Sequence, residues 1–347
     1  MPAALSLSNM FAYAIQNLVF EPPLRPGYLE HEAVYVRTEG GLRIATMLLQ
    51  PEPLVPLAPL ADSPAGVVDN LIDLGPPASS PYDWDDAPPP TFTPRAQPQA
   101  AAPALRPLLL FSHGNAEDLG TAHDHAQWLA TNLECSVLMY DYVGYGHSSV
   151  ALMSEANMYH AIEAVYEHAA RQAGAYSGIF LMGRSLGCTA STRLARLLSE
   201  RQRATGCHLY KGLVLLSPLA SGLRVLFRIG EDDMTFAAPL VAVLDRLFCP
   251  VVQDVQGVDE RVFVIHGLQD ETIDVRNAYE IQAHVPARCC FPPLYVDAGH
   301  NDVDLLHGAR MLAQLRVFMA ATRAAPAVLC AEGAREGHAK RRVACWR

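Results

Sequence analysis

Short apolar runs alternate along the chain with stretches whose apolar residues recur at helical spacing. The apolar runs occupy residues 108–113, 136–142, 178–184, 212–217, 261–266 and 292–297. Helical spacing is found over residues 119–134, 156–173, 186–201, 274–284 and 303–319. Continuous apolar runs are typical of parallel strands that helices cover on both faces, so this alternation predicts an α/β fold with a doubly wound, mostly parallel sheet. Two earlier runs, at residues 33–37 and 42–49, predict the first strands of that sheet.

The composition changes over residues 51–107. This segment holds 15 of the chain's 26 prolines and no lysine. It cannot form an amphipathic element or offset the entropy that is lost on ordering, so we predict a Pro/Ala-rich disordered insertion between early strands. The predicted organisation has four parts: an N-terminal segment with the first strands (1–50), the insertion (51–107), the α/β core (108–320) and a flexible C-terminal tail (321–347).

The predicted strand at 178–184 runs into the sequence Gly-Arg-Ser-Leu-Gly, in which Gly183 and Gly187 flank Ser185. A predicted helix follows directly. A serine between two glycines at a strand-to-helix turn is typical of a nucleophile elbow, in which a strained turn exposes the hydroxyl at the edge of the sheet. The motif alone recurs by chance, so the prediction depends on the partners that such a serine needs.

Those partners are a histidine base and a carboxylate that orients it, and proteins with such an elbow carry them in the chain order Ser, Asp, His. Asp270 lies in the loop after the strand at 261–266, and His300 follows the strand at 292–297. Both therefore lie at the same edge of the sheet as Ser185. Taken singly, Asp270 is explained as a helix cap and His300 as a loop residue. Their order and spacing together favour a catalytic triad of Ser185, Asp270 and His300.

A second N–H donor for an oxyanion hole is expected in the loop after the strand at 108–113. We assign the hole to the backbone N–H groups of Asn115 and Leu186, the latter being the residue after the nucleophile. Two histidines, His113 and His266, each precede a glycine in the same way, and both are predicted to serve packing and loop shape.

Five sequence blocks occur in order around these candidates. They are F-S-H-G-N-A-E-D-L-G (111–120), Y-D-Y-V-G-Y-G-H-S-S (140–149), L-L-S-P-L-A-S-G-L-R-V (215–225), I-H-G-L-Q-D-E-T-I-D (265–274) and A-G-H-N-D-V-D-L (298–305). Over residues 108–319 the chain closely resembles the α/β-hydrolase-domain-containing protein 17 group, membrane-associated serine hydrolases that remove palmitate from protein cysteines. The resemblance implies the α/β-hydrolase fold and the triad Ser185, Asp270 and His300. More distantly, the motifs resemble the hydrolase domain of prolyl-oligopeptidase-type serine peptidases.

The chain departs from that group in three ways. Arg184 stands in the elbow where the group usually has a glutamine, which affects substrate fit. The N-terminal cysteine cluster that the group uses for its own lipidation is missing, since the first cysteine is Cys135. The insertion at 51–107 separates the first strands from the third.

The composition restricts the classes of partner, compartment and cofactor that the chain can be expected to have. The net charge of −10 argues against a nucleic-acid partner. Eight cysteines without regular spacing, together with the lack of a secretory signal, indicate a reducing compartment, and a cytoplasmic location is expected. No Cys/His group has the spacing of a zinc site, so neither a metal nor a cofactor is expected. No run of eighteen or more apolar residues predicts a membrane-spanning helix.

Two segments are candidates for peripheral contact with the cytoplasmic face of a membrane. One face of a predicted, uncharged N-terminal helix carries Phe11, Ile15, Leu18 and Val19. That face could equally pack onto the body of the protein. Near the other end, the basic stretch 340–342 precedes Cys345, a cysteine that could be acylated or belong to a solvated tail.

The stretch 219–258 interrupts the strand–helix alternation and is notably apolar. It predicts a short cap-like segment, either an acyl-chain groove or a helix that packs on the core.

The preferred function is hydrolysis of long-chain acyl thioesters on protein cysteines through an acyl-enzyme. A lipid or carboxyl esterase, a prolyl-oligopeptidase-like peptidase and a non-catalytic binding protein on the hydrolase fold are the alternatives. The expected partner is thus an acylated protein or a lipid ester.

Overall fold

A computed structural model describes residues 20–53, 105–222, 224 and 248–323. Within these ranges eight strands form one sheet in the order β1-β2-β4-β3-β5-β6-β7-β8. Strands β3 to β8 run parallel to one another, and β1 and β2 are antiparallel to their neighbours. The strands are β1 (Val34–Arg37), β2 (Arg43–Leu49), β3 (Leu108–Ser112), β4 (Ser136–Tyr140), β5 (Ile179–Arg184), β6 (Leu213–Leu216), β7 (Val262–Gly267) and β8 (Leu294–Val296).

The central strands are buried on both faces. All five residues of β3 are buried, and alternate side chains enter two different apolar clusters. Leu108 and Leu110 belong to one cluster, whereas Leu109 and Phe111 belong to the other. Because successive side chains of a strand point to opposite faces, the two clusters are the two cores on either side of the sheet. The predicted doubly wound, mostly parallel sheet is confirmed.

Helices cover both faces. Helices α1 (His123–Leu133) and α6 (Val303–Arg323) bury residues in the cluster of Leu109. Helices that bury residues in the cluster of Leu108 are α2 (Glu155–Ala170), α3 (Gly187–Thr205), α4 (Val251–Val255) and α5 (Arg276–His284). The five-residue α4 lies in the apolar stretch 219–258 and buries Val251, Val252 and Val255 in the core, which agrees with the predicted alternative of a helix that packs on the core.

The predicted strand and helix positions agree with the structure to within a few residues, and the largest shift at a helix start concerns α1. A helix was predicted from residue 119, whereas α1 begins at His123. The Oδ1 atom of Asp118 accepts a hydrogen bond from the Thr121 N–H at 2.9 Å, and the Leu119 N–H donates to Asp141. These side chains satisfy the backbone groups in a turn, so the helix starts later.

The described residues, apart from Pro53, belong to one compact unit. Several predicted features lie outside the described residues. They are the membrane-contact candidates at 1–19 and 340–345, residues 54–104 of the insertion, and residues 223 and 225–247 of the cap-like segment. None of the helices in the described part of the chain combines the length and apolar character needed to cross a membrane.

Candidate active site

Ser185 lies at the turn between β5 and α3. Its φ of 52° is in the left-handed region, a conformation that costs a residue with a side chain about 1–3 kcal/mol. Two hydrogen bonds hold this turn: the Ser185 N–H donates to the Leu216 carbonyl of β6 at 2.9 Å, and the Ser185 carbonyl accepts from the Cys188 N–H at 3.0 Å. The neighbouring strand and the helix start therefore maintain the strained serine.

Gly183 and Gly187 flank the nucleophile at positions where neighbouring backbone atoms leave no room for a side chain. A Cβ atom on Gly183 would lie 2.5 Å from the backbone nitrogen of Cys188, and one on Gly187 would lie 2.1 Å from the Ser112 carbonyl oxygen of β3. Real Cβ atoms do not approach backbone atoms this closely. Any larger residue at these positions would push α3 away from the sheet and displace Ser185.

The structure brings the three predicted triad residues together. Nε2 of His300 lies 3.0 Å from the Ser185 hydroxyl, and Nδ1 of His300 lies 2.6 Å from Oδ2 of Asp270. The carboxylate favours the tautomer that carries its proton on Nδ1, which leaves Nε2 able to accept the serine proton. This is the arrangement that activation of a serine nucleophile needs.

The carboxylate of Asp270 is buried but well satisfied. Its Oδ1 atom accepts hydrogen bonds from the backbone N–H groups of Thr272 at 2.9 Å and Ile273 at 2.7 Å. Burial alone would raise the pKa of Asp270, but hydrogen bonds from His266, His300 and Ile273 outweigh burial and hold that pKa well below its usual value. Asp270 therefore stays ionised and can stabilise a positively charged His300.

His266 contributes more than the predicted packing role. Its Nε2 atom lies 3.1 Å from Oδ2 of Asp270 and 2.8 Å from the Ile273 carbonyl oxygen. The side chain is fully buried, so it fixes the loop of Asp270 as well as the carboxylate. Its position in β7, four residues before Asp270, was the sequence signal for this contact.

The two predicted oxyanion donors belong to the loop after β3 and to the residue that follows the nucleophile. A Cβ atom on Gly114 would lie 3.7 Å from Cβ of Ser185, so the loop that carries Asn115 passes beside the serine. The Asn115 side-chain oxygen accepts hydrogen bonds from the Glu21 N–H at 3.0 Å and from the Tyr145 hydroxyl at 2.7 Å. Within the described residues no acceptor is found for the N–H of Leu186, which precedes the first residue of α3.

Two other groups near the elbow lack the contacts of reacting groups. The Cys188 thiol is fully buried and faces the Gly183 carbonyl oxygen at 3.1 Å, and burial raises the pKa of the thiol well above its ordinary value. His113 is also buried: its Nδ1 atom lies 2.8 Å from the Gly114 carbonyl oxygen and its Nε2 atom 3.3 Å from Asp141. These contacts match the packing role predicted for His113. Among the described residues, His, Cys, Asp and Glu side chains form no cluster of three that could hold a metal ion.

Comparison with known sequences points to one family. A family model described as serine aminopeptidase, S33, matches residues 103–242. The α/β-hydrolase-domain-containing protein 17C of Xenopus laevis is 36% identical over 221 residues, which is 63% of each chain. The human protein 17B is 32% identical over 222 residues, covering 63% of this chain and 68% of the relative. The Caenorhabditis elegans protein aho-3 is 37% identical over 234 residues, 65% of this chain and 63% of that one. The chain thus spans about three fifths of the length of several of these relatives.

Solved structures support the same fold. The esterase Pf2001 of Pyrococcus furiosus has a TM-score of 0.54 at 14% identity, covering 88% of this chain and 100% of the esterase. Est1E of Butyrivibrio proteoclasticus with bound ferulic acid has a TM-score of 0.52 at 16% identity, covering 83% of this chain and 100% of Est1E. At such low identity these matches identify the fold alone.

Proposed function

The chain belongs to the α/β-hydrolase-domain-containing protein 17 family, and on that premise we propose that it is a serine hydrolase that cleaves long-chain acyl thioesters from protein cysteines. The observation that carries the proposal is the continuous hydrogen-bonded path from Asp270 through His300 to a serine on a strained turn. The path supplies the nucleophile, the base that takes its proton and the ionised carboxylate that orients the base.

In the acylation step, His300 Nε2 takes the proton of Ser185 as the hydroxyl oxygen attacks the thioester carbonyl carbon. The carbonyl oxygen becomes an oxyanion, which the backbone N–H groups of Asn115 and Leu186 stabilise. The tetrahedral intermediate then collapses, the carbon–sulfur bond breaks, and His300 returns its proton to the departing cysteine sulfur. The ionised Asp270 stabilises the imidazolium between these two transfers.

Deacylation uses the same groups in reverse. His300 removes a proton from water, whose oxygen attacks the acyl carbon of the Ser185 ester. Collapse of the second tetrahedral intermediate releases the fatty acid and returns the proton to the Ser185 oxygen. The buried, fully satisfied carboxylate of Asp270 keeps the imidazole in the same orientation through both half-reactions.

The proposed setting is the cytoplasm, with peripheral contact at the membrane that carries the acylated proteins. Membership of the protein 17 family supports the proposed substrate class. A lipid or carboxyl ester is chemically close to a thioester, because the same Ser185 attack and the same oxyanion serve both.

A panel of four substrates tests the proposal. The purified full chain is incubated with a palmitoyl-cysteine peptide, the matched palmitoyl-serine peptide, a soluble short-chain aryl ester and a peptide with an unblocked N-terminus. We expect the highest kcat/KM for the palmitoyl-cysteine peptide. A preference for the oxygen esters would instead identify a lipid or carboxyl esterase, and cleavage of the unblocked peptide would identify a peptidase. No turnover of any substrate would indicate a binding protein.

A further inference from the structure

Arg184 lies directly before the nucleophile, at the end of β5. Among the described residues, its guanidinium donates hydrogen bonds to side chains on two different loops. One nitrogen, Nη1, forms an ion pair with Oε1 of Glu117. The other, Nη2, donates a hydrogen bond to Oδ1 of Asn301 at 3.0 Å. The Arg184 and Glu117 side chains are 16% and 20% exposed, so their attraction is less screened than that of a surface pair.

The first partner leads to the oxyanion hole. Glu117 belongs to the oxyanion loop, which we define as residues 113–117. Its second carboxylate oxygen, Oε2, accepts a hydrogen bond from the backbone N–H of Gly114 at 2.5 Å. Gly114 directly precedes Asn115, whose N–H is an assigned oxyanion donor. One carboxylate therefore connects the Arg184 guanidinium to the peptide next to that donor.

The second partner leads to the base. Asn301 follows His300 directly in the chain, and its side chain is held by the same guanidinium. A planar guanidinium presents donors in a fixed fork, so the two bonds fix the Glu117 and Asn301 side chains at set positions relative to each other. A lysine, which carries a single ammonium group on a flexible stem, cannot impose this geometry.

We propose that Arg184 is a positioning residue for acyl transfer, which holds the oxyanion loop and the loop of His300 in register with Ser185. The inference rests on the proposed function but assigns a role that the triad and the oxyanion hole do not include. Within the described residues, the hydrogen bonds of the Arg184 side chain go to Glu117 and Asn301 and not to the Ser185 hydroxyl or the His300 ring, so its effect passes through those two residues. A displacement of about 1 Å in such groups can slow a reaction about 10²-fold.

The test compares Arg184→Met with Arg196→Met in the full chain. Arg196 is a matched control because it also pairs with a carboxylate, that of Asp254 at 2.8 Å, but from α3 and away from the serine. Turnover of a soluble short-chain ester and the rate of labelling by a fluorophosphonate are measured for each. For Arg184→Met we expect kcat and the labelling rate to fall about 10- to 100-fold while KM changes less than about threefold. Arg196→Met should leave all three near the wild-type values.

Further variants separate positioning from loss of the fold. Glu117→Gln and Asn301→Ala each remove one partner, so each should lower kcat by part of the Arg184→Met effect. The double variant Arg184→Met/Glu117→Gln should be no slower than Arg184→Met, because both changes break the same connection. Arg184→Lys should recover only part of kcat. If Arg184→Met does not fold, the two single-partner variants decide the outcome.

Three results would overturn the inference: wild-type kcat in Arg184→Met, a raised KM with unchanged kcat, or effects of Arg184→Met and Glu117→Gln that multiply. If Arg184→Met does not fold, the inference is overturned when Glu117→Gln and Asn301→Ala both retain the wild-type kcat. All of these comparisons require a wild-type chain that reacts with the fluorophosphonate. A wild-type chain that does not react would contradict the proposed function itself, and the inference would fail with it.

Discussion

The hydroxyl of Ser185 lies 3.0 Å from Nε2 of His300, although the two residues are 115 positions apart in the chain. The sheet order explains this proximity. Ser185 follows β5 and His300 follows β8, and the two intervening strands are β6 and β7. Since all four strands are parallel, the loops after them meet at one edge of the sheet. Asp270, in the loop after β7, reaches His300 from the same edge.

Asp270 and Asp274 should respond differently to the same substitution. Asp270→Asn should lower kcat by about 10⁴, because an amide no longer favours the productive tautomer of His300. The Asp274 carboxylate instead accepts a hydrogen bond from the N–H of Arg276, the first residue of α5, at 2.8 Å. Asp274→Asn should therefore leave kcat nearly unchanged and reduce the free energy of unfolding by at most about 1 kcal/mol.

Ester turnover and urea denaturation of both variants check this assignment. The reverse pattern, with the large loss of kcat in Asp274→Asn, would move the acid of the triad to that residue.

Adding a methyl group to the elbow should destabilise the fold. A Cβ atom at position 187 meets the Ser112 carbonyl oxygen at 2.1 Å, so α3 must move away from β3. Gly187→Ala should reduce the free energy of unfolding by roughly 1–3 kcal/mol, as overpacking does, and slow labelling of Ser185. Gly174→Ala is the matched control, because a Cβ atom there meets nothing within 4 Å. Equal urea midpoints for the two variants would show that the elbow tolerates a larger residue.

The ionised Asp270 should contribute to stability at neutral pH and lose that contribution only in acid. The pKa of Asp270 is lower in the folded chain than in the unfolded chain, where the pKa of an aspartate is about 3.9. The contribution is therefore present above that value and is lost as the pH falls through the folded-state pKa. The quantity to compare is the difference between the unfolding free energies of the wild type and Asp270→Asn. We expect this difference not to decrease between about pH 7 and 5. Below about pH 4 it should decrease.

Urea denaturation across that range provides the measurement. Asp124→Asn is the control for the substitution itself, because the Asp124 carboxylate is fully exposed and lies 3.2 Å from the side chain of the neighbouring His123. A wild-type advantage that declines well above about pH 5 would contradict the depressed pKa of Asp270.

Membrane attachment is a separate prediction that concerns segments outside the described residues. If the substrates are acylated membrane proteins, part of the full-length chain should sediment with membranes. Removing residues 1–19 or replacing Cys345 with serine should release most of it, because stable attachment needs two signals. Hydrolysis of a soluble ester should not change. A full-length chain found only in the soluble fraction would favour an esterase that acts on soluble substrates.

Most strands and helices could be predicted from the sequence, because the core strands form continuous apolar runs and the longer helices show a helical period. Runs such as Leu108–Ser112 are buried on both faces and read as continuous apolar segments. The start of α1 was predicted four residues too early because the side chains of Asp118 and Asp141 satisfy backbone groups that a helix would otherwise satisfy. The position of α4 within the stretch 219–258 could not be predicted, because five residues are too few to show a helical period.

The site was only partly accessible from sequence. Ser185, Asp270 and His300 could be paired because parallel topology brings their strand ends together. The bonds of Arg184 to Glu117 and Asn301 could not be predicted, because they join loops 67 and 117 positions away and leave no periodic pattern. His266 was interpreted as a packing residue because its contact with Asp270, four residues later, depends on how the loop after β7 folds back.

Reaction of Ser185 with a fluorophosphonate tests the central claim most directly. The wild-type chain and the variants Ser185→Ala and Cys188→Ala are labelled in parallel, and their turnover of the palmitoyl-cysteine peptide is measured on the same preparations. The account predicts that Ser185→Ala abolishes labelling and lowers turnover by about 10⁴- to 10⁶-fold, whereas Cys188→Ala, which alters a buried thiol, retains both. Labelling and turnover that persist in Ser185→Ala would contradict the account.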